Sequence, residues 1–271
     1  MATSTQTCDC VEICPPVRNR YFYGKLLDVV HFELEQDYFN HKRWMMNRLV
    51  TGYGVVCGLG VQLVPGTQTV VVQPGVAIDK CGREIEVCSP SSPVNLPSPG
   101  SGTGSGTSPV TGQNPAPAAT NAGPGDCCDG NFVHLSICYH ECPSDPVPAL
   151  GGDCDNNGLC SPGSIRETYT MELEDGKLAP APTTSRIQDV ISGGQLNYGA
   201  LAIYVTNPCP KLPPDCCIPL ANIRIPDAGG SYDQTNIDIT VRPIVYTNDL
   251  LYDLILAFMN QGQNQARGGK P

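Results

Sequence analysis

The sequence predicts a mainly β chain with two α-helices. One helix and a small antiparallel sheet form an N-terminal module, and an antiparallel β-sandwich or barrel closed by a terminal helix follows. Three observations carry that expectation. Short β-branched and apolar runs recur between turn formers, with 29 Gly and 26 Pro in 271 residues. Only two stretches show helical periodicity. Residues 89–125 hold no charged side chain, which divides the chain into two parts.

Residues 1–18 read as an arm containing Cys8, Cys10 and Cys14. The first module, 19–88, is expected to open with a helix over 28–50. Asp28 is a suitable N-cap, and Leu34, Tyr38, Met45 and Leu49 fall on one face. Glu33, Glu35 and Asp37 crowd its first half while Lys42, Arg43 and Arg48 occupy the second, which complements the helix dipole. Gly52 and Gly54 stop it. Strands are expected at 54–64, 69–72, 75–79 and 83–87, the last alternating charged and apolar residues. Cys57, set among Val55, Val56 and Leu59, reads as a small core residue.

Residues 89–126, rich in Gly, Ser, Pro and Thr, read as a tether, because so few apolar groups cannot offset the entropy of ordering. The second module, 127–260, is Cys-rich, with strands expected at 132–139, 167–173, 199–205, 218–225 and 236–242. A helix over 248–259 would place Leu250, Leu251, Leu254, Ile255 and Phe258 on its apolar side, and a polar tail occupies 261–271.

The net charge of −10 argues against nucleic acid or an anionic membrane as partner. It is unevenly spread: 8 basic and 9 acidic residues up to Cys88, 8 and 17 beyond. No apolar run is long enough to insert in a membrane. The first ten residues have neither a basic flank nor an apolar stretch, so no secretory signal is read and the compartment stays open. Phosphate-binding glycine loops, dinucleotide fingerprints and G-x-S-x-G are absent. His31 and His41 are ten residues apart, not at the i, i+4 spacing of a helical metal pair, and His134 and His140 lie on or near a strand. No enzyme is expected.

Fifteen cysteines allow two readings. One is a disulfide framework with a thiol left over, because the count is odd. The other is structural zinc, for instance through Cys138-x3-Cys142 or Cys8-x-Cys10-x3-Cys14, although neither repeats the paired C-x2-C spacing. The candidates for either role are Cys8, Cys10, Cys14, Cys127, Cys128, Cys138, Cys142, Cys154, Cys160, Cys209, Cys216 and Cys217. Asp153, Asp155 and Asn157 stand at positions 1, 3 and 5 of a half calcium loop with Gly158 at 6. Its twelfth position is Ser164 rather than Glu, so an ordinary Asp/Asn/Gly turn competes. Arg20, Tyr21 and Tyr23 are side chains of the kind enriched in interfaces.

Arg20-Tyr21-Phe22-Tyr23-Gly24-Lys25-Leu26-Leu27 is followed by Glu35-Gln36-Asp37-Tyr38, Asn47-Arg48-Leu49 and Gly52-Tyr53-Gly54-Val55-Val56-Cys57-Gly58-Leu59. Gln73-Pro74-Gly75-Val76-Ala77-Ile78-Asp79 and Gly82-Arg83-Glu84-Ile85 come next, then Cys138-Tyr139-His140-Glu141-Cys142-Pro143, Ser164-Ile165-Arg166-Glu167 and Pro243-Ile244-Val245-Tyr246-Thr247-Asn248. This succession resembles a family of uncharacterised bacterial proteins associated with phage-tail-like contractile injection systems. The first module is also similar to small β modules of phage baseplate and fibre proteins. The resemblance covers both modules and breaks at the tether. It carries over no catalytic residue, because none is established for that family.

The resemblance implies a non-enzymatic structural subunit of a contractile particle or related extracellular assembly, at its baseplate, fibres or periphery. Its expected partners are other subunits and further copies of itself, with no cofactor unless calcium or structural zinc binds. The alternative is a secreted or surface module, stapled by disulfides, that recognises glycan or protein.

Overall fold

The computed structural model describes residues 13–101, 131–148, 160–180, 189–192 and 195–268, without the side chains at 160, 192 and 261–268. Asp28 starts the first helix as expected. Its carboxylate accepts the Val29 N–H at 2.7 Å, and the His31 ring accepts the Asp28 N–H at 3.1 Å. Helix α1 spans Val29–Met46 and continues as a π-helical turn, Asn47–Thr51, that ends at Gly52.

Six short strands follow: β1 (Gly54–Gly58), β2 (Val61–Leu63), β3 (Thr69–Val72), β4 (Gly75–Ile78), β5 (Glu84–Val87) and β6 (Val94–Asn95). They form two antiparallel sheets, ordered β1-β4-β5 and β2-β3-β6. A bulge between Val55 and Cys57 resets the alternation of β1. Cys57, expected in the core, is therefore exposed, and Leu59 takes the inward place with none of its surface accessible. Gly58 is obligatory at this corner: its φ is +66° and a Cβ would lie 2.1 Å from the Pro74 carbonyl oxygen.

Part of the expected tether belongs to the fold. Val94 pairs with Val70 across β6 and β3, Leu96 is buried, and the Gly100 N–H donates to the Pro226 carbonyl at 2.8 Å. The polar composition of 89–101 hid two apolar anchors that are enough to dock it. Residues 102–130 lie outside the described part.

The second half centres on two long strands, β7 (Phe132–Pro148) and β8 (Cys160–Asp175), antiparallel over their whole length. A small hairpin, β9 (Ile191–Ser192) and β10 (Gln195–Leu196), precedes helix α2 (Tyr198–Val205). Strand β11 (Ile218–Arg224), strand β12 (Ile237–Asp238) and helix α3 (Asn248–Gly268) complete the order. The main sheet is four antiparallel strands, β12-β11-β7-β8. The chain is thus mainly β, with a helix and small sheets first and a larger sheet and terminal helix after.

Three expected strands differ. The run 54–64 turns at Gly58 and Leu59, both at positive φ, and divides into β1 and β2 of separate sheets. Residues 199–205 are helical because the Asn197 side chain caps the start, accepting the Ala200 N–H at 3.2 Å, and Ala200, Leu201 and Ala202 favour helix. Strand 236–242 shrinks to two residues because the Asp238 carboxylate captures the Thr240 N–H and hydroxyl and bends the chain. One cluster of buried side chains joins both halves. It draws Leu59, Val70, Val72 and Ile85 from the first and Leu135, Ile137, Ile218, Leu220 and Ile223 from the second.

Candidate functional site

Two features stand out from this scaffold: a cysteine-rich junction between the halves, and helices with no fully buried side chain among the described residues.

The junction forms where the β4–β5 turn meets the entrance to β11. Asp79 is fully buried at that turn. It accepts the Cys81 and Arg83 N–H groups at 2.8 Å each and the Arg83 Nε at 2.7 Å. Burial holds its carboxyl above the ordinary 3.8, against the pull of the Arg83 charge. The Arg83 guanidinium in turn stacks 4.5 Å from the centroid of the Tyr139 ring on β7. Burial, and the carboxylates of Glu141 and Glu167, push the Tyr139 hydroxyl well above its usual range.

Lys80 pairs with Asp215 at 2.8 Å, and the other Asp215 oxygen accepts the Cys217 N–H. Cys217 then bonds to Cys138, the residue opposite it on β7, with Cα atoms 4.4 Å apart. Cys81 and Cys216 are buried, with their Sγ atoms 2.9 Å apart across the junction. Adjacent residues 216 and 217 point to opposite faces, so Cys216 reaches the first half while Cys217 holds the second.

Glu172 comes to the same place from β8, its Oε2 lying 3.8 Å from the Cys217 Sγ. Burial, Glu174 and Asp215 raise its carboxyl above the ordinary 4.5. Glu172 was not among the sequence candidates. As one polar residue in an alternating strand it carries no local signal, and only the β7–β8 register brings it to the cysteines.

Of the remaining cysteine candidates, Cys14, Cys142 and Cys209 are exposed free thiols, as are Cys57 and Cys88. Cys8, Cys10, Cys127, Cys128 and Cys154 lie outside the described residues, as do the calcium candidates Asp153, Asp155 and Asn157. Cys160 begins β8, its side chain likewise outside the description.

Of the interface candidates, Arg20 is exposed, Tyr23 is fully exposed, and Tyr21 is half-exposed with its hydroxyl bonded to Glu35 on α1. Around them α1 carries two stripes. Of the face read from sequence, Leu34, Tyr38 and Met45 are half-buried, whereas Leu49, in the π-helical turn, is exposed. Val29, Phe32, Phe39 and Met46 form a second stripe that faces solvent, with Phe39 at 62% exposure. The seven-residue spacing of Phe32, Phe39 and Met46 was its sequence signal. No residue of α1 or α2 is buried, nor is any described side chain of α3. On α3, Leu251, Leu254, Ile255 and Phe258 repeat at helical spacing and are exposed, Phe258 at 71%. None of the described helices is long and apolar enough to cross a membrane.

Compared with known proteins, the chain matches no family model and no curated protein.

Proposed function

We propose that the protein is a non-enzymatic structural subunit of a large assembly of the phage-tail-like contractile type, at its baseplate, fibres or periphery. Copies of the chain join through the outer faces of α1 and α3, and other subunits of the particle cover the rest. The observation that supports this reading is the helical apolar surface left uncovered by the chain's own core.

Magnitudes favour it. Covering Leu251, Tyr252, Leu254, Ile255, Leu256, Phe258 and Met259 of α3 would gain on the order of 10 kcal/mol. Association costs about 4–15 kcal/mol in lost freedom, so α3 alone only balances it and the outer stripe of α1 tips it. The described cystine favours a second reading, the stapled recognition module, in an oxidising compartment. That reading requires a monomer that binds glycan or protein.

Sedimentation velocity separates the two. The wild-type chain is expected to associate with rising concentration. Leu251→Asp/Ile255→Asp should weaken association by roughly 100-fold, about 3 kcal/mol. Both positions are exposed, Leu251 at 43% and Ile255 at 56%, so urea unfolding of the variant should move by less than about 0.5 kcal/mol. A wild-type chain that stays monomeric at high concentration with α3 helical overturns the assembly reading.

A further inference from the structure

We propose that Cys138, Cys217 and Glu172 form a latent metal site, closed by the disulfide and opened by its reduction, that takes a zinc-like divalent cation on two thiolates and a carboxylate. This goes beyond the assembly reading and does not depend on it.

The geometry comes from three neighbouring strands. Ile137 of β7 pairs with Ile218 of β11, which sets Cys138 and Cys217 opposite each other on one face. Along β8, Thr170 pairs with Cys138 and Glu172 with Ser136, so both project from that same face. The three potential ligand atoms all lie within 4.8 Å of one another. A tetrahedral zinc with sulfur at about 2.3 Å and oxygen at about 2.1 Å needs sulfur and oxygen roughly 3.6 Å apart. With the disulfide closed, the Cys217 Sγ and Glu172 Oε2 are already 3.8 Å apart. Once the bond is cut, rotation of the half-buried Cys217 side chain separates the two sulfurs to tetrahedral spacing.

The surroundings suit a cation. Glu172 is crowded by Glu174 and Asp215, a repulsion that a dication relieves. Beside Cys138, the Thr170 hydroxyl is buried and has no hydrogen-bond partner among the described residues. With three protein ligands, a fourth position remains for water, and this hydroxyl lies on the same face to bond it.

The chemistry balances as follows. A phosphine reductant and one water convert the disulfide to two thiols and a phosphine oxide. The cation then displaces both thiol protons, and Glu172 binds as its carboxylate. Disulfide and metal exclude each other, so each tenfold excess of free zinc over its dissociation constant shifts the equilibrium about tenfold toward the dithiol.

The test uses the wild-type full chain in a glutathione redox buffer, with and without zinc. Alkylation and peptide mass spectrometry read the reduced fraction of Cys138 and Cys217. Zinc should raise that fraction about tenfold or more in the wild type and much less in Glu172→Gln, which leaves the disulfide and fold intact. An unchanged fraction with zinc overturns the proposal, and so does an equal response in Glu172→Gln. As a second readout, phosphine-reduced wild type should bind one more equivalent of cobalt with thiolate charge-transfer absorption than Cys138→Ser/Cys217→Ser. Equal stoichiometry in the two also overturns it.

Discussion

Replacing Arg83 with Met is expected to cost about 3–5 kcal/mol at neutral pH. Asp79 is fully buried, and the Arg83 side chain supplies both its nearest charge and one of its three hydrogen bonds, the other two coming from backbone N–H groups. Met keeps an apolar stem but removes the guanidinium, which takes away the stacking on Tyr139 and leaves a carboxylate without a counterion.

The loss is also pH-dependent, and its sign is fixed. Burial already holds the Asp79 carboxyl above its ordinary 3.8, and Arg83 pulls it down. Without Arg83 it rises further. Between the unfolded and folded values the native state binds the proton more readily, so stability falls as pH rises through that window. The deficit of Arg83→Met against wild type should therefore shrink as pH falls toward 3.8, through the raised folded-state values of variant and wild type in turn. Urea unfolding at pH values on either side of the window measures it. An equal deficit at both ends would show that Arg83 acts through packing alone.

Cutting the Cys138–Cys217 staple by Cys138→Ala/Cys217→Ala is the second large effect. The bond closes a separation of 79 residues, for which loop entropy predicts about 4 kcal/mol. In a chain of this size that lowers the melting temperature by roughly 10 °C. The fold should survive, because Ile218, Leu220 and Ile223 still bury fully against the core. The denatured state, freed of the cross-link, should expand, so the urea m-value should rise as the midpoint falls. A midpoint shift worth less than about 1 kcal/mol would mean that strand packing alone fixes β7 against β11.

What was legible in the sequence was local. The Asp28 cap, the charge gradient along α1, and the β-branched runs of β7 and β11 each announce an element within a few residues. The errors arose where a short-range competitor won. Asn197 caps what looked like a strand of Leu201, Ile203 and Val205. Asp238 turns the chain where apolar alternation pointed onward. A single-residue bulge moves Cys57 from core to surface.

The cysteine pairing and Glu172 were invisible for a different reason. Cys138, Glu172 and Cys217 meet only through the register of three strands, and composition says nothing about register. The outer stripe of α1 was legible in the seven-residue spacing of Phe32, Phe39 and Met46, beside the face of Leu34, Tyr38, Met45 and Leu49 that the periodicity also marks.

Hydrogen–deuterium exchange followed from dilute to assembled protein tests most directly the idea that neighbours cover what the chain leaves bare. A helix with little tertiary support is marginal in water, so α3 should exchange fast in the dilute chain and slow by roughly 100-fold or more on association, while β7 and β11 stay protected throughout. Equal and strong protection of α3 at every concentration, in a chain of monomeric mass, would contradict the account.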